Sequence, residues 1–518
     1  MKNTKKTFRD SVPMRWTMLV LLSGLTFATY WFQDFMGGLK GLMETEYGFT
    51  SENFGRIIGL TTIANVCGMV IVGGIILDKW GIRLAGLLFG GLAAFGGLIV
   101  YLASTGVFGS ETGTRLWMMI VGRIMFGTGL EVVCVVATRT VVKWFKGYEL
   151  ALAMAINVGF GRLGTAMGIA VSPDIAVMGT TSTAIGFSAS LLGLGLIMFV
   201  IYMFFDVKLD RQESVTKSTS EEDTFRMSDL LKLLKNKPYI YITLLCVVFY
   251  SGVFPFIQYA PDLLVHKFGF TSKLPEGGEV IIAGSSVLGN SLIFIGLFIF
   301  AICFSTIPSP SNIKTCQGRI IARLVILLLF LTYLYCFKDV FSIWLKNGAK
   351  TAALIPLGTI IFTPIFGNVV DNKGKAASLM MLGSLILIFA HLSLSVFNSV
   401  ILGYLGLLSM GIAFSLVPAA MWPSVAKIIP ENKLGTAYAG MFTVQNWGLG
   451  IFFWGIGAVL EFVNQSKLEL IKAEKAAYDY TIPILLLAGC GIISIFLAYK
   501  LKQADKQSGY GLEEPNVK

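Results

Sequence analysis

Long apolar runs alternate along the chain with short segments where Lys, Arg, Asp, Glu, Gly and Pro collect. A membrane-crossing helix needs roughly 20 mostly apolar residues. That ruler predicts spans at 14–36, 54–77, 84–104, 116–141, 149–172 and 184–206 in a first half. A second half follows at 238–262, 281–304, 319–337, 350–366, 376–397, 400–426, 434–462 and 479–500, which makes fourteen. The opening run, Trp16 to Met36, follows a basic stretch as a secretory leader would. It is long enough to span and lacks a small-residue cleavage site, so it reads as the first helix. The organisation is a tail at 1–13, a six-helix bundle at 14–206 and a polar linker at 207–237. A second bundle at 238–500 carries an inserted hairpin at about 279–340, and a tail occupies 501–518. Within the linker, Asp229–Lys235 has apolar pairs at helical spacing and predicts a short amphipathic helix on the membrane surface.

Composition narrows the class. Of 518 residues, 55% are hydrophobic and 14% charged, against about 25% charged in soluble proteins. The mean hydropathy is +0.74. An ordinary soluble enzyme, a disordered chain and a secreted disulfide scaffold are thereby excluded. The 57 glycines suit membrane helices whose backbones approach closely. A net charge of +11 raises the question of nucleic acid, but no basic stripe interleaved with aromatics exists, so no nucleic-acid partner is expected. The seven cysteines have no metal-ligand spacing and only His266 and His391 are histidines. No metal, cofactor or catalytic set is expected, and the chain reads as a non-enzyme. With the N-terminus in the cytoplasm, 28 of the 41 Lys and Arg fall on the cytoplasmic side. The positive-inside rule thus places both termini there. The expected setting is a multi-pass protein of the cell (inner) membrane, working as a monomer in the lipid bilayer.

Two short turns repeat one another. The first is Gly74-Ile-Ile-Leu-Asp78-Lys-Trp-Gly81-Ile-Arg83, the second Gly367-Asn-Val-Val-Asp371-Asn-Lys-Gly374-Lys375. Each places an acid, a glycine and a base between two spans. Such a cluster can latch one face of a bundle in one state and release it in another. Duplicated at matching places, the turns mark the halves as a repeat, as in carriers built from related bundles. With Arg123-Ile-Met-Phe-Gly127-Thr-Gly129 on the fourth span, the pattern resembles the major facilitator superfamily. The resemblance implies an all-α fold of two six-helix bundles, a central site and alternating access. It also gives Gly74, Asp78, Gly81, Arg83, Arg123, Asp371, Gly374 and Lys375 gating or packing roles. Two further stretches look like the branch that contains the lysosomal dipeptide transporter. One runs from Lys143-Trp-Phe-Lys-Gly-Tyr-Glu to Phe160-Gly-Arg162-Leu-Gly164. The other joins Met421-Trp422-Pro423, Pro430-Glu-Asn-Lys-Leu-Gly435 and Gln445-Asn446-Trp447-Gly448.

The hairpin departs from the superfamily's twelve spans. An even insertion preserves the downstream topology. Having few embedded polar groups, the hairpin is expected to pack outside the transport path as a lipid-facing addition. A regulatory or partner-binding role is the other reading.

The cargo is sought among embedded charges, which cost at least about 2.5–3.5 kcal/mol unless paired or functional. Glu131 lies eleven residues before Val142 and Arg162 thirteen after Glu149. At 1.5 Å per residue both sit roughly 16–20 Å deep. Arg162 can hold a carboxylate through two parallel hydrogen bonds, and Glu131 can accept from an ammonium group. A small zwitterion fits that pair, and the resemblance implies a dipeptide. A mutual salt bridge that merely joins the two helices is the competing reading. An organic anion on Arg162, with a proton on Glu131, keeps the fold and changes the cargo; a transport-inactive nutrient sensor keeps the site and drops the movement. Protons are the one coupling partner considered. Tyr30, Tyr250, Gln258, Trp422, Gln445 and Asn446 complete the candidate substrate set. Asp34 is expected near the outer mouth, either lining the path or solvated at a helix end. His391 reads as a packed polar residue.

Overall fold

The computed structural model describes residues 7–213, 233, 235–308, 312–430 and 433–515. The expected amphipathic helix at 229–235 falls almost wholly outside them. The first half contains α1 (Val12–Asp34), α2 (Lys40–Tyr47), α3 (Ser51–Leu60), α4 (Ile63–Val66), α5 (Met69–Ser104), α6 (Thr112–Phe145), α7 (Leu150–Val177) and α8 (Thr181–Glu213). The second begins with α9 (Lys237–Phe268), the hairpin helices α10 (Ser286–Thr306) and α11 (Cys316–Cys336), and the short α12 (Lys338–Trp344) and α13 (Gly348–Ala352). It continues with α14 (Leu354–Lys373), α15 (Ala376–Ser395), α16 (Val400–Ile428), α17 (Leu434–Val463), α18 (Leu468–Lys472) and α19 (Thr481–Ser508).

Helix ends follow local chemistry. Proline opens α1 and α9 in the first turn, where its missing N–H costs nothing. Gly48, Gly269 and Gly509 close helices at positive φ. Among the described residues, thirteen helices are long and apolar enough to cross a membrane. The second expected span, 54–77, has no counterpart among these thirteen. Thr61 and Thr62 turn their hydroxyls back onto the carbonyls of Ile57 and Gly59, at 2.9 Å each. Such bonds compete with the helical ladder. Gly68 at φ +86° then separates α4 from α5. Apolar patterning does not register a break of this kind.

Small residues set the packing. A Cβ on Gly127 would overlap the Thr61 carbonyl, and one on Gly129 the Phe89 carbonyl. The Gly-Thr-Gly of the fourth span therefore lets α6 approach α3 and α5 at backbone distance. One apolar core joins both halves at the end of the bundle away from the termini, through Phe32, Phe35, Phe54, Tyr259 and Phe453, and continues down the second half to Tyr239, Leu501 and Leu512. At the terminus-bearing end the first half keeps a separate core around Leu22, Phe89, Trp144 and Tyr202. The halves are therefore joined at the far end and cored separately near the termini.

Candidate functional site

A cavity of about 580 Å³ lies between the halves, lined from α1, the turn between α3 and α4, α4, α6, α7, α9, α10, α14, α16 and α17. Its size falls within the roughly 300–1,000 Å³ of small-ligand sites. Tyr30, Glu131, Arg162, Tyr250, Trp422, Gln445 and Asn446 all line it. Glu131 and Arg162 are brought to the same cavity by α6 and α7, yet no ion pair within 4.0 Å joins them. Arg162 instead stacks over the Phe414 ring, 4.4 Å from its centroid. Glu131 accepts one long bond, 3.4 Å, from the Asn446 side chain of the opposite half. The mutual salt bridge between the two helices is therefore not formed in this structure.

The second half supplies an aromatic wall. Trp422 donates to the Tyr250 hydroxyl at 3.0 Å and stacks on Phe442 at 5.1 Å. Tyr250 stacks on Phe254 at 5.3 Å, and Phe254 meets Phe414 edge to face at 5.4 Å. Gln445 accepts from the Cys246 thiol at 3.3 Å. The Tyr30 hydroxyl lies 3.7 Å from the Cys134 sulfur. The cavity thus offers a cation, a carboxylate, amides and ring faces. That set can hold a molecule with two opposite charges and an apolar middle.

Two expectations change, for Gln258 and the hairpin, and the alternative left open for Asp34 is decided. Gln258 does not line the cavity. It is buried behind it and donates to Asp34 Oδ1 at 2.6 Å, tying α9 to the end of α1. Asp34 is not a solvated helix end: it is 5% exposed, lines the cavity and also accepts from Thr165 at 2.6 Å. The hairpin, expected outside the path, contributes Ile302 and Ser305 of α10 to the lining. Of the two hairpin helices α11 is exposed along almost its whole length, with Ile326 its one buried residue, whereas α10 turns only part of its surface outward. His391 is fully buried against Phe256, with ring centroids 5.7 Å apart.

Arg123 is fully buried and its guanidinium points at backbone. It donates to the Phe32 carbonyl at 2.7 Å, the Gln33 carbonyl at 3.2 Å and Thr61 Oγ1 at 3.0 Å. Those carbonyls end α1, where the helix dipole is negative, so the cation closes that end and fixes it against α3. The duplicated turns occupy matching places. Asp78 lies on the helix ahead of Gly81, whose φ of +76° and ψ of 174° interrupt α5. Asp371 precedes Gly374, which ends α14 at φ +65°. Arg83 pairs with Asp206 at 2.9 Å and Asp210 at 2.7 Å, acids that Lys143 also holds. In the second half the C-terminal tail fills this place: Lys375 N–H donates to the Glu513 carbonyl at 3.0 Å. Gly74 and Gly367 have open space where a Cβ would go.

Sequence reasoning missed the bonds that close the far end. Lys40 is buried and pairs with Glu44 and Asp262, both at 2.8 Å, while the Tyr480 hydroxyl donates to Asp262. Trp454 donates to Glu52 at 3.2 Å there, and at the depth of the cavity Trp447 donates to the Val66 carbonyl at 2.9 Å. Lys40 is one of the eleven bases assigned to outer segments; only the fold shows that it is enclosed.

The profile described as Major Facilitator Superfamily matches residues 21–345, and that of the MFS_1 like family matches 347–517. The lysosomal dipeptide transporter MFSD1 of Danio rerio is 24% identical over 466 residues, covering 88% of this chain and 82% of the relative. The Homo sapiens protein of that name is 24% identical over 469 residues with the same coverages. Their name says lysosomal, not the cell membrane expected above. Among solved structures, a D-xylose-proton symporter superposes at TM-score 0.57 with 12% identity, covering 95% of this chain and 98% of its own. The POT family transporter PepTSo does so at 0.56 and 12%, covering 96% and 99%. These likenesses carry the fold. The chain is a multi-pass membrane transporter that belongs to the major facilitator superfamily.

Proposed function

We propose that this protein moves dipeptides or similar small zwitterions by alternating access, with Arg162 on the carboxylate end and Glu131 on the ammonium end. The observation that carries the reading is that two opposite embedded charges share one cavity without pairing. An unpaired charge at membrane depth is costly, and a ligand that supplies both missing partners offsets that cost. Tyr30 and the wall of Tyr250 and Trp422 give a cargo side chain apolar surface, and the amides of Gln445 and Asn446 suit a peptide group. Curated relatives named as dipeptide transporters lend further support.

The Lys/Arg distribution supports cytoplasmic termini, so the cavity serves the cytoplasmic side in this state. To face the other compartment, the far-end bonds of Lys40 with Asp262, Gln258 with Asp34 and Trp454 with Glu52 must break. The duplicated turns at Gly81 and Gly374 must then close the terminus-bearing end. The test is uptake by purified full-length protein in liposomes, with radiolabelled Gly-Leu and succinate run in parallel. Saturable Gly-Leu uptake is expected. Succinate uptake alone would establish the organic-anion reading, and binding of Gly-Leu without uptake would establish the sensor.

A second reading concerns coupling. Asp34 is a buried cavity carboxylate whose described partners are the neutral Thr165 and Gln258. It is our candidate for a coupling proton, tested by uptake with and without an imposed pH gradient.

A further inference from the structure

Helix α10 is not part of the twelve-span plan, yet it is wedged into the seam between the halves. It packs on α7 of the first half and α14 of the second, whereas α11 packs chiefly on α10 and α12. Its fit to α7 is specific. A Cβ on Gly159 would come within 3.1 Å of both Ile302 Cδ1 and Phe298 Cε2, so the missing side chain is what admits these two. Phe298 also meets Phe160 edge to face at 5.2 Å. Toward the far end, Asn290 is fully buried and donates to Asp174 of α7 at 2.9 Å. Lys350 of α13 pairs with the same Asp174 and donates to the Ala170 carbonyl at 2.8 Å. The hairpin is therefore pinned to the first half at one end and faces the cavity with its last turn.

That last turn matters because of what it borders. Ile302 and Ser305 line the cavity beside Met154, Val158 and Gly159 of α7 and Thr363 and Pro364 of α14. A polar cavity that opened sideways to hydrocarbon would present charged and amide groups to lipid, which is costly. We infer that α10 is the lateral wall of the transport path, and that Ile302 and Ser305 set how bulky a cargo side chain the path admits. The wall itself follows from the packing; the selectivity rests on the dipeptide reading above. Ile299, three residues before Ile302, is 53% exposed on the lipid side and serves as the internal comparison.

Two measurements on the full-length protein in liposomes separate these parts. In the first, Ser305→Cys and Leu328→Cys are treated with a charged, membrane-impermeant methanethiosulfonate. Modification at each position is read by peptide mass spectrometry. Leu328 is 65% exposed on α11. Cysteine at 305 should react about tenfold faster than cysteine at 328, because only it meets water. Equal or slower reaction at 305 overturns the wall, whatever the cargo. In the second, Ile302→Trp should reduce Phe-Phe uptake about tenfold relative to Gly-Gly, a size that one overfilled contact supplies, while Ile299→Trp leaves the ratio unchanged. Matching thermal melting of both variants checks folding. An unchanged ratio in Ile302→Trp, or the same shift in Ile299→Trp, overturns the selectivity. If native protein takes up neither dipeptide, the cargo reading has failed and the labelling contrast alone decides the wall.

Discussion

Arg162 of the first half lies 4.4 Å above the ring of Phe414 in the second. A cation stacked on a ring keeps its planar edge free for a ligand, whereas a salt bridge would occupy it. The contact also crosses the cleft, so the position of the guanidinium depends on how the halves are set.

Replacing Arg162 by Lys keeps the charge and removes the paired donors and the planar stack. Truncating a partner of an enclosed charge pair costs about 2–5 kcal/mol, so affinity should fall roughly 30-fold or more. Glu131→Gln should do the same from the ammonium end. Counterflow of Gly-Leu with each variant, at unchanged melting temperature, is the measurement. Native uptake by either variant would remove the zwitterion clamp. Phe414→Leu should weaken uptake less, because it removes the stack and leaves the charge.

The span pattern was legible because hydrocarbon demands long apolar helices, and the duplicated turns were legible because glycine at positive φ leaves a mark in the sequence. Glu131 and Arg162 stood out by the same logic: a charge in an apolar run is conspicuous. The closing bonds were not legible. Lys40, Asp262 and Tyr480 sit at span ends, where charge is ordinary, and their enclosure comes from three segments meeting. Gln258 shows the limit of helical spacing. It is eight residues from Tyr250, but α9 contains Pro255, and the amide leaves the cavity for Asp34. The apolar sequence of α10 looks lipid-facing because nothing in it announces Gly159 on α7, the gap it fills.

The turn at Gly374 offers a test of the repeat. Its φ of +65° with ψ of −131° is open to glycine and strained for any other residue. A Cβ there would also overlap the Glu513 and Glu514 backbone. Gly374→Ala should therefore cost roughly 1–3 kcal/mol or more and loosen the C-terminal tail. The check is faster proteolysis after Lys506, together with a lower melting temperature. Gly367→Ala, with open space at its Cβ, should change neither.

Asp34 and Gln258 make a prediction about coupling. The 2.6 Å bond joins the halves only in this state, so Asp34→Asn keeps a hydrogen-bonding side chain and removes the exchangeable charge. If Asp34 carries the proton, the variant should lose stimulation of uptake by an inward pH gradient and retain Gly-Leu counterflow, which needs no net proton movement. Preserved gradient stimulation would assign the proton elsewhere or to none.

Asp262 is the acid on which the far end turns. It holds Lys40 at 2.8 Å, accepts from Tyr480 and faces His266 at 3.4 Å. Breaking an enclosed pair by removing one partner costs about 3–5 kcal/mol, because the remaining charge loses compensation. That cost falls on the state in which the far end is shut, since the pair joins α2 to α9 only there. Asp262→Asn should accordingly shift the equilibrium toward opening at the far side by a factor on the order of 10². Cys134, which lines the cavity, reports it. An impermeant thiol reagent applied on the side away from the termini should modify Cys134 slowly in the native protein and much faster in Asp262→Asn. Lys40→Met should move the rate in the same direction. Equal rates in all three would mean that this cluster stabilises the bundle without gating it.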